Sequence, residues 1–537
     1  MNVYEKPINH KIVLGILLAA AFLSRAVFLG YSTLFHGEAE MAQAVAYVSP
    51  CLSQFSYSEA MWRLWHMFTN LNNPLAYLYP VNFSLAWFFG LNEFTMRLNA
   101  AIGGFISCVI IYVITRRHSD EPTALYALTL TALNPFLIIF NRYGYVDSVQ
   151  VALVLSGILC IDTYIRNNKR YLLVLSAFCF SLSFLLKFNA IVFIGIAVFL
   201  YFVYFKLKMI DIIKIVILSI VFMVLLFIDQ TNEFFASIWK ARSYVKADAG
   251  TSDFFYRKIT MMAYDAFIYA KAYFIIYAEF IFFPIAISLI FWKRIENRFF
   301  RFLALFSILY FIALIFQGRT FYRYLQIGVF TSLAAFAFVV RTFAHKRHAY
   351  AGIIFLTIFT LWAVFSHRTY ISTQYHHIPY KYIAQKANEL QGAGRILIYG
   401  RNSETEYYLS PTNNLLHDES LNPCAEPVTG IDDFPKWADK VRKIEPAISS
   451  LSDPKIVRSS DIVVVTGIQM AGGDPVPRLR SMDGKIGRAY RHELETVSKF
   501  YKEYNTDNKL QQEYTLAEKI FLTNGSKELA ALILRKN

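Results

Sequence analysis

The sequence predicts a polytopic α-helical membrane protein of about 11 transmembrane helices, followed by a soluble α/β or α+β domain. Hydrophobic residues make up 56% of the 537 residues and charged residues 17%, against about 25% charged residues in an ordinary soluble chain. Long apolar stretches recur up to residue 371. Beyond it the composition becomes that of a soluble domain, with 22 basic and 21 acidic residues over 372–537.

The net charge of +15 indicates membrane topology rather than a nucleic-acid partner. Because residues 372–537 are almost neutral, nearly all of the surplus lies in the hydrophobic part, where Lys and Arg mark cytoplasmic loops. The composition also excludes a disordered chain, a coiled coil and a secreted disulfide scaffold. The five cysteines show no metal-ligand spacing, so neither a zinc motif nor a redox motif is expected.

Apolar windows close to the length of about 20 residues that crosses the hydrocarbon define the predicted spans. They lie near 11–29, 98–115, 122–140, 146–165, 171–187, 188–205, 212–229, 272–291, 302–316, 325–340 and 349–366. Residues 75–91 are also apolar, but Pro80 and Asn82 favour a helix at the membrane interface, so this segment is not counted.

Basic residues at the window ends set the predicted orientation, since short loops rich in Lys and Arg stay in the cytoplasm. With the N-terminus inside, such loops fall on the cytoplasmic face. The opposite face receives the segment 31–96, in which Arg63 is the only Lys or Arg. The loop 230–271 departs from this pattern, but long loops follow the rule weakly. We therefore expect a transmembrane domain over 1–371, with 31–96 as a first external loop containing interfacial helices, and an extracytoplasmic soluble domain over 372–537.

Within the soluble part, four segments carry secondary-structure signals. Residues 380–391 have a helical pattern, and RILIYG at 395–400 and DIVVVTG at 461–467 read as buried strands. The end of the chain predicts two strands around Asn524-Gly525, a strong hairpin signal.

The most informative candidate residues follow the first window, where Glu38 and Glu40 stand at the outer membrane surface. A carboxylate there can accept the proton of an acceptor hydroxyl as a general base. The alternative is a pair of helix N-terminal acids stabilised by the helix dipole.

Three further charged residues are predicted at the same surface. Arg142 and Asp147 lie at the external ends of the third and fourth spans, and Lys187 lies between two spans at their outer edge. Lys187 can contact a phosphate there, with snorkelling as an equal alternative. For Arg142 and Asp147 the alternative is a structural ion pair or interfacial snorkelling.

The segment QGRTFYRYLQIG at 317–328 places Arg319, Tyr322, Arg323 and Tyr324 at the outer end of a late pair of spans. Guanidinium groups bind phosphate bidentately, although the same residues suit an aromatic-belt anchor. All of these acids and cations gather at one surface, whereas an ion pathway would distribute them through the membrane depth.

These segments together resemble the GT-C fold glycosyltransferases, specifically the relatives of protein O-mannosyltransferase and of lipid A aminoarabinose transferase. GEAEMA at 37–42 is similar to the family's Asp-Glu pair after span one, with Glu38 on its Glu and Gly37 where the Asp usually stands. The pattern over 72–104, the segment NRYGYVDS ending near Asp147, LLKFNAI at 185–191 and YRYLQIG resemble further family segments in the same order.

The resemblance implies a sugar donor carried on a polyprenyl phosphate, and a lipid, glycan or protein acceptor at the extracytoplasmic face of a plasma (inner) membrane. It implies that Glu38 or Asp147 deprotonates the acceptor while Lys187, Arg319 and Arg323 neutralise the phosphate leaving group, with inversion. Glu40, Arg142 and Tyr322 are further candidates for substrate binding. No cofactor is expected, although a loosely held divalent cation using Glu38 and Asp147 is left open.

Gly37 keeps other interpretations open. Either the catalytic carboxylate has shifted to Glu38 or Glu40, or activity is weakened or lost, leaving an assembly or binding protein of the same fold. A lipid or polysaccharide transporter is a rival from another class, and it predicts inverted repeats and polar midplane residues that are not evident. A lipid-linked oligosaccharide polymerase or ligase would use the same donor chemistry.

Overall fold

The computed structural model of the chain describes residues 10–30, 38, 42, 45, 56–61, 79–187, 189–226, 283–317, 322–346, 380–391, 396–399, 461–466, 497–521 and 529–537. The helices of the N-terminal part are α1 (His10–Ala26), α2 (Tyr79–Phe89), α3 (Glu93–His118), α4 (Glu121–Ala132), α5 (Pro135–Phe140), α6 (Val146–Asn167), α7 (Tyr171–Leu186), α8 (Ala190–Phe205), α9 (Met209–Leu226), α10 (Phe283–Ile290), α11 (Arg298–Gln317) and α12 (Gln326–Lys346). A 3-10 turn over Tyr322–Leu325 leads into α12.

The described helices coincide with most of the predicted spans. By length and composition, α3, α6 and residues 326–343 of α12 can cross a membrane, while α7 and α8 are shorter apolar helices. Helix α9 leaves many large aliphatic side chains exposed along its length, among them Ile213, Ile217 and Leu225. Such an exposed apolar surface is suited to contact with the hydrocarbon core of a membrane. The predicted span 272–291 is described only from residue 283 onward, and the predicted span 349–366 lies wholly outside the described residues. The total of 11 spans therefore stays a prediction.

The window 122–140 is not one continuous helix, as the sequence predicted, but two. Helix α4 ends at Ala132, and α5 begins at Pro135 with Asn134 as its N-cap, whose side chain accepts a 3.1 Å hydrogen bond from the Leu137 backbone N–H. Proline lacks a backbone N–H and clashes with the preceding helical turn, so it fits the first position of a new helix and not the interior of an old one.

Glycines let α3 approach its neighbours closely. A Cβ on Gly103 would come within 2.9 Å of the Ser148 backbone, and a Cβ on Gly104 would overlap the Asn141 side chain. The N-terminal half of α3 is therefore packed directly against the start of α6 and the end of α5.

The C-terminal part contains α13 (Tyr380–Gln391), β1 (Ile396–Tyr399), β2 (Ile462–Thr466), a helical segment over 497–506, α14 (Asn508–Glu513), β3 (Tyr514–Phe521) and β4 (Leu529–Lys536). The strands form a sheet in the order β1-β2-β4-β3, in which β1 and β2 are parallel and the other pairs antiparallel. The predicted helix at 380–391 and all four predicted strands are present, and the last two pair as expected of a hairpin.

Strand β2 is buried on both faces. Ile462 and Val464 pack in one cluster with α13, while Val463 and Val465 pack in another with residues of the 497–506 segment. Because alternate side chains of a strand point to opposite faces, the continuous apolar run IVVVT suits a sheet covered by helices on both sides.

The chain divides into two compact units. One comprises Met1–Val27 and Arg97–Arg368, and the other Phe28–Met96 and Thr369–Asn537. The predicted division into 1–371 and 372–537 stays a prediction.

Candidate functional site

The predicted site residues Asp147 and Lys187 contact each other in the unit that comprises Met1–Val27 and Arg97–Arg368. Asp147 lies in the first turn of α6, and Lys187 is the residue that follows α7. The Lys187 Nζ donates a 2.7 Å hydrogen bond to Asp147 Oδ1 and lies 3.7 Å from the ring centroid of Tyr324. The Asp147 side chain is 4% exposed and the Lys187 side chain 18% exposed. The ammonium is thus held between a carboxylate and an aromatic face, and part of the lysine side chain stays exposed.

Local chain geometry brings these groups together. The first turn of α6 favours a carboxylate, since the positive end of the helix dipole stabilises Asp147 there. Lys187 leaves the helical conformation, with φ −167° and ψ 125°, and its N–H donates to Ser183 O at 3.2 Å. This extended residue ends α7 and carries the ammonium out of the helix toward α6.

Gln150, one helical turn after Asp147, holds the junction that carries Lys187. Its buried amide Nε2 donates to Lys187 O at 2.8 Å, to Ser183 O at 3.2 Å and to Asn189 Oδ1 at 3.0 Å. These bonds tie Gln150 to the backbone carbonyls of Ser183 and Lys187 and to the Asn189 side chain, and so hold the end of α7 against α6.

This arrangement can bind a phosphate oxygen. A lysine ammonium has three N–H donors, of which one is directed at Asp147, and it acts as a compact positive charge. In a site shielded from water such a charge stabilises developing negative charge far better than in bulk solvent.

A second set of polar side chains, centred on Arg25, joins helix ends that include the start of α6. The Arg25 side chain is fully buried, and its Nε donates to Asn141 Oδ1 at 3.0 Å. The Asn141 Nδ2 in turn donates to Gln326 Oε1 at 2.7 Å and to Ser148 Oγ at 3.1 Å. The four residues join α1, the end of α5, the start of α6 and the start of α12.

The other predicted site residues are placed as follows. Arg142, between α5 and α6, donates to Ser24 O at 3.1 Å, an interaction with the end of α1. Glu38 belongs to the other unit, where its side chain is fully buried. Glu40 and Arg319 lie outside the described residues, and for Tyr322 and Arg323 the structure describes only the backbone of the 3-10 turn. The roles of all these residues stay predictions.

Several residues of the site carried signals that the sequence reasoning did not use. Arg25 is a charge inside the first apolar window, which by itself indicates an inward-facing functional or structural role. Pro135 inside the third window indicated a break. Gln150 and Gln326 gave no distinct signal, because a polar side chain on an apolar helix does not reveal its partner.

Among the residues that the structure describes, no three His, Cys, Asp or Glu side chains are grouped as a metal ion would require. The expectation that no cofactor is needed, and the open question of a divalent cation, stay predictions.

A contrasting cluster surrounds Asp162, near the other end of α6. His118 Nε2 lies 2.6 Å from Asp162 Oδ1, while Arg117 Nη1 and Arg166 Nε lie 3.4 Å and 3.5 Å from Oδ2. The His118 ring stacks on Phe299 with centroids 4.4 Å apart. These groups come from the ends that the basic residues assign to the cytoplasm, and they tie α3, α6 and α11 together.

Comparisons with known proteins indicate the class of protein: the chain is a membrane protein that resembles the GT-C fold glycosyltransferases. Residues 72–229 match the family model described as dolichyl-phosphate-mannose-protein mannosyltransferase. This region includes both Asp147 and Lys187. The comparisons indicate glycosyltransferase-type activity.

The fold is that of the crystal structure of ArnT from Cupriavidus metallidurans bound to undecaprenyl phosphate, at 10% sequence identity and a TM-score of 0.52, covering 98% of this chain and 97% of that one. The oligosaccharyltransferase of Archaeoglobus fulgidus, in complex with Zn and sulfate, matches at 13% identity and a TM-score of 0.47, covering 84% of this chain and 68% of that one. No curated protein matches the chain.

Proposed function

We propose that this protein transfers a sugar from a polyprenyl-phosphate carrier to a lipid, glycan or protein acceptor at the extracytoplasmic face of the plasma (inner) membrane. The observation that carries the proposal is the Lys187 ammonium held between Asp147 and Tyr324, on a side chain that is partly exposed. The family match around these residues supports it, and so does the fold shared with a protein crystallised with undecaprenyl phosphate.

Lys187 is assigned to the phosphate of the donor. When the bond between the anomeric carbon and the phosphate oxygen breaks, a singly charged phosphodiester becomes a polyprenyl phosphate monoester that carries one more negative charge. A fixed ammonium stabilises that charge more strongly in the transition state than in the bound donor, which is the condition for accelerating the reaction.

Asp147 is assigned to hold Lys187 in place. Sequence reasoning left either Glu38 or Asp147 as the general base. Because Oδ1 of Asp147 already accepts a hydrogen bond from the ammonium, the geometry favours an orienting role for this carboxylate. We therefore assign the base to Glu38, which would take the proton of the acceptor hydroxyl as its oxygen attacks the anomeric carbon, in a single displacement with inversion.

The remaining residues are assigned to substrate contacts. Arg319 and Arg323 would bind the phosphate oxygens together with Lys187, and Tyr322, Arg142 and Glu40 would contact the sugar or the acceptor. In this proposal the domain over 372–537 stands on the same, extracytoplasmic side of the membrane.

The test is incubation of the purified protein with labelled polyprenyl-phosphate sugars and candidate acceptors, with release of the lipid phosphate as the readout. Glu38→Gln and Asp147→Asn should each abolish transfer without lowering membrane abundance, because each substitution removes charge and keeps shape. Full activity in both variants would refute the mechanism. Movement of the intact lipid-linked sugar between leaflets, with no release of lipid phosphate, would favour the transporter instead.

A further inference from the structure

The polar network around Arg25 begins at the break between α4 and α5. In an uninterrupted helix the Thr131 carbonyl would accept from the N–H of residue 135, but Pro135 has none. Arg25 Nη2 donates to Thr131 O at 3.1 Å and Nη1 donates to Ala132 O at 3.1 Å. The guanidinium therefore satisfies the carbonyls at the end of α4, where the negative end of the helix dipole favours a cation.

The network has a fixed direction of donation, set by Arg25. A guanidinium can only donate, so the Asn141 side chain must turn its oxygen toward Arg25 and its Nδ2 away from it. The two hydrogens on Nδ2 then point to Ser148 Oγ and to Gln326, which must present Oε1. Ser148 Oγ also lies 3.1 Å from this oxygen.

Gln326 acts in this network through its oxygen alone. Its Oε1 is contacted by two donors, whereas its buried Nε2 makes no hydrogen bond within the part of the chain that the structure describes. An acceptor is thus required at this position and a donor is not. A carboxyl group of the same shape keeps that acceptor oxygen.

The network ends on the two segments that carry the site. Ser148 directly follows Asp147, and Gln326 directly follows the 3-10 turn that contains Tyr324. The two segments are therefore joined through the Asn141 amide and by the direct contact between Ser148 Oγ and Gln326 Oε1, which together limit their separation. The gap between the Asp147 carboxylate and the Tyr324 ring, in which the Lys187 ammonium lies, depends on that separation.

From this geometry we propose that Arg25, Asn141 and Gln326 are positioning residues for Lys187. They act through the Asn141 amide on the starts of α6 and α12, and so set where the ammonium stands relative to the phosphate it would bind. The proposal rests on the proposed function for its catalytic consequence. Its structural consequence, a fixed environment for Lys187, can be measured without any sugar transfer.

The test compares Gln326→Met with Gln326→Glu in the full-length protein. The methionine variant removes the acceptor at similar volume, and we expect kcat to fall by about 10- to 100-fold because the ammonium is misplaced, with little change in KM for the donor. The glutamate variant keeps an oxygen at the Oε1 position and should restore kcat to near the wild-type value.

The matched control is Thr331→Val on the same helix. Thr331 Oγ1 lies 2.8 Å from Ser307 Oγ in a buried contact between α11 and α12. Its removal should lower the melting temperature by an amount similar to that in Gln326→Met, without changing kcat. An equal fall of kcat in both variants would mean a general loss of packing and would overturn the proposal.

A double-mutant cycle with Lys187→Gln separates positioning from an independent effect. If Gln326 acts through Lys187, the methionine substitution should cause no further loss of kcat once the ammonium is absent. Additive losses would overturn the proposal.

The readout that does not depend on sugar transfer is reductive methylation of Lys187, followed by mass spectrometry. Gln326→Met should raise the rate of Lys187 modification, and Gln326→Glu and Thr331→Val should not. Unchanged rates in all three variants would overturn the network proposal even in an active enzyme. An inactive wild-type protein with the expected labelling pattern would instead refute the proposed function and leave the positioning intact.

Discussion

Helix α6 carries a buried aspartate near each end, and the two have different surroundings. Asp147 and Asp162 are 15 residues apart in one continuous helix, which places them about 22 Å from each other along the helix axis, roughly three quarters of the hydrocarbon thickness of about 30 Å. Asp162 is surrounded by His118, Arg117 and Arg166, whereas Asp147 binds a lysine that also faces an aromatic ring and stays partly exposed.

The difference separates a structural anchor from the proposed phosphate-binding site. Each of the three basic groups around Asp162 has a second partner: Arg166 Nη2 donates to Arg117 O at 2.9 Å, Arg117 Nη1 donates to Thr163 Oγ1 at 2.6 Å, and His118 stacks on Phe299. Such a cluster has little left to offer a ligand. At the other end, the ammonium of a single lysine, Lys187, contacts Asp147 and Tyr324, and its side chain stays partly exposed.

The largest expected effect is loss of stability at the anchoring end. Asp162→Asn removes the carboxylate shared by three basic groups, and breaking a buried ion pair in this way should cost about 3–5 kcal/mol. Thermal unfolding in detergent should show the loss, while the specific activity of the folded fraction should stay near wild type. Lys214→Gln, an exposed partner of Asp211, is the control and should change little. A large loss of specific activity with unchanged stability would contradict the assignment of a purely structural role to the Asp162 end of α6.

Lys187→Gln tests the reactive end. Without the ammonium the departing phosphate loses its fixed positive charge, and sugar transfer should fall by about 10²–10³, or about 2.7–4 kcal/mol of transition-state stabilisation. The measurement is release of polyprenyl phosphate under saturating donor. Lys208→Gln, an exposed lysine between α8 and α9, should keep its activity. Equal activity in the two variants would contradict the assignment.

Gly104→Ala sharpens the comparison by disturbing the reactive end through packing. The new Cβ would overlap the Asn141 side chain, and overpacking of this kind should cost about 1–3 kcal/mol. Gly195→Ala is the matched control, because nothing lies within 4 Å of a Cβ built there in α8. It should stabilise the helix by roughly 0.5–1 kcal/mol. Melting temperatures that move in the same direction would argue against the close contact between α3 and Asn141.

The smallest expected effect is a pH dependence of the free energy of unfolding that arises from Asp120. Burial raises the pKa of Asp120, the N-cap of α4, but hydrogen bonds from Thr123 and Arg341 outweigh it and leave that pKa below its ordinary value. A carboxylate whose pKa is lowered on folding stabilises the protein above its unfolded pKa, and this contribution is lost as the pH falls through the folded pKa.

Asp120→Asn should therefore be less stable than wild type at neutral pH by about 0.2–1 kcal/mol, since the Asp120–Arg341 pair is well exposed. The gap should close as the pH falls below about 4. Thermal unfolding of both proteins across this range is the measurement. A gap that stays constant with pH would show that the Asp120 charge contributes nothing.

Much of the architecture follows from the sequence because its causes are local. The helix at 380–391 and the strand over Ile462–Thr466 were predicted from periodicity and apolar runs, and the windows near 146–165 and 171–187 became α6 and α7. Hydropathy missed the division of the window 122–140, because it averages over residues, whereas one proline decides whether a helix continues.

The candidate site was predicted only in part, for a physical reason. That Asp147 and Lys187 stand at the same surface follows from the alternation of spans. That they form an ion pair depends on the extended backbone at Lys187 and on the Gln150 amide, neither of which a hydropathy pattern contains. Arg25, Asn141 and Gln326 contact one another across 116 and 185 residues of chain, and no local pattern encodes such distances.

The buried guanidinium of Arg25 also bears on how the protein is assembled in the membrane. Its carbonyl acceptors on α4 are synthesised 106 and 107 residues later, so α1 enters the bilayer well before they exist. A cation in a lone helix is costly in hydrocarbon and is drawn toward the lipid headgroups. The first helix must therefore take a provisional position during translation and settle only after the broken helix pair has inserted beside it.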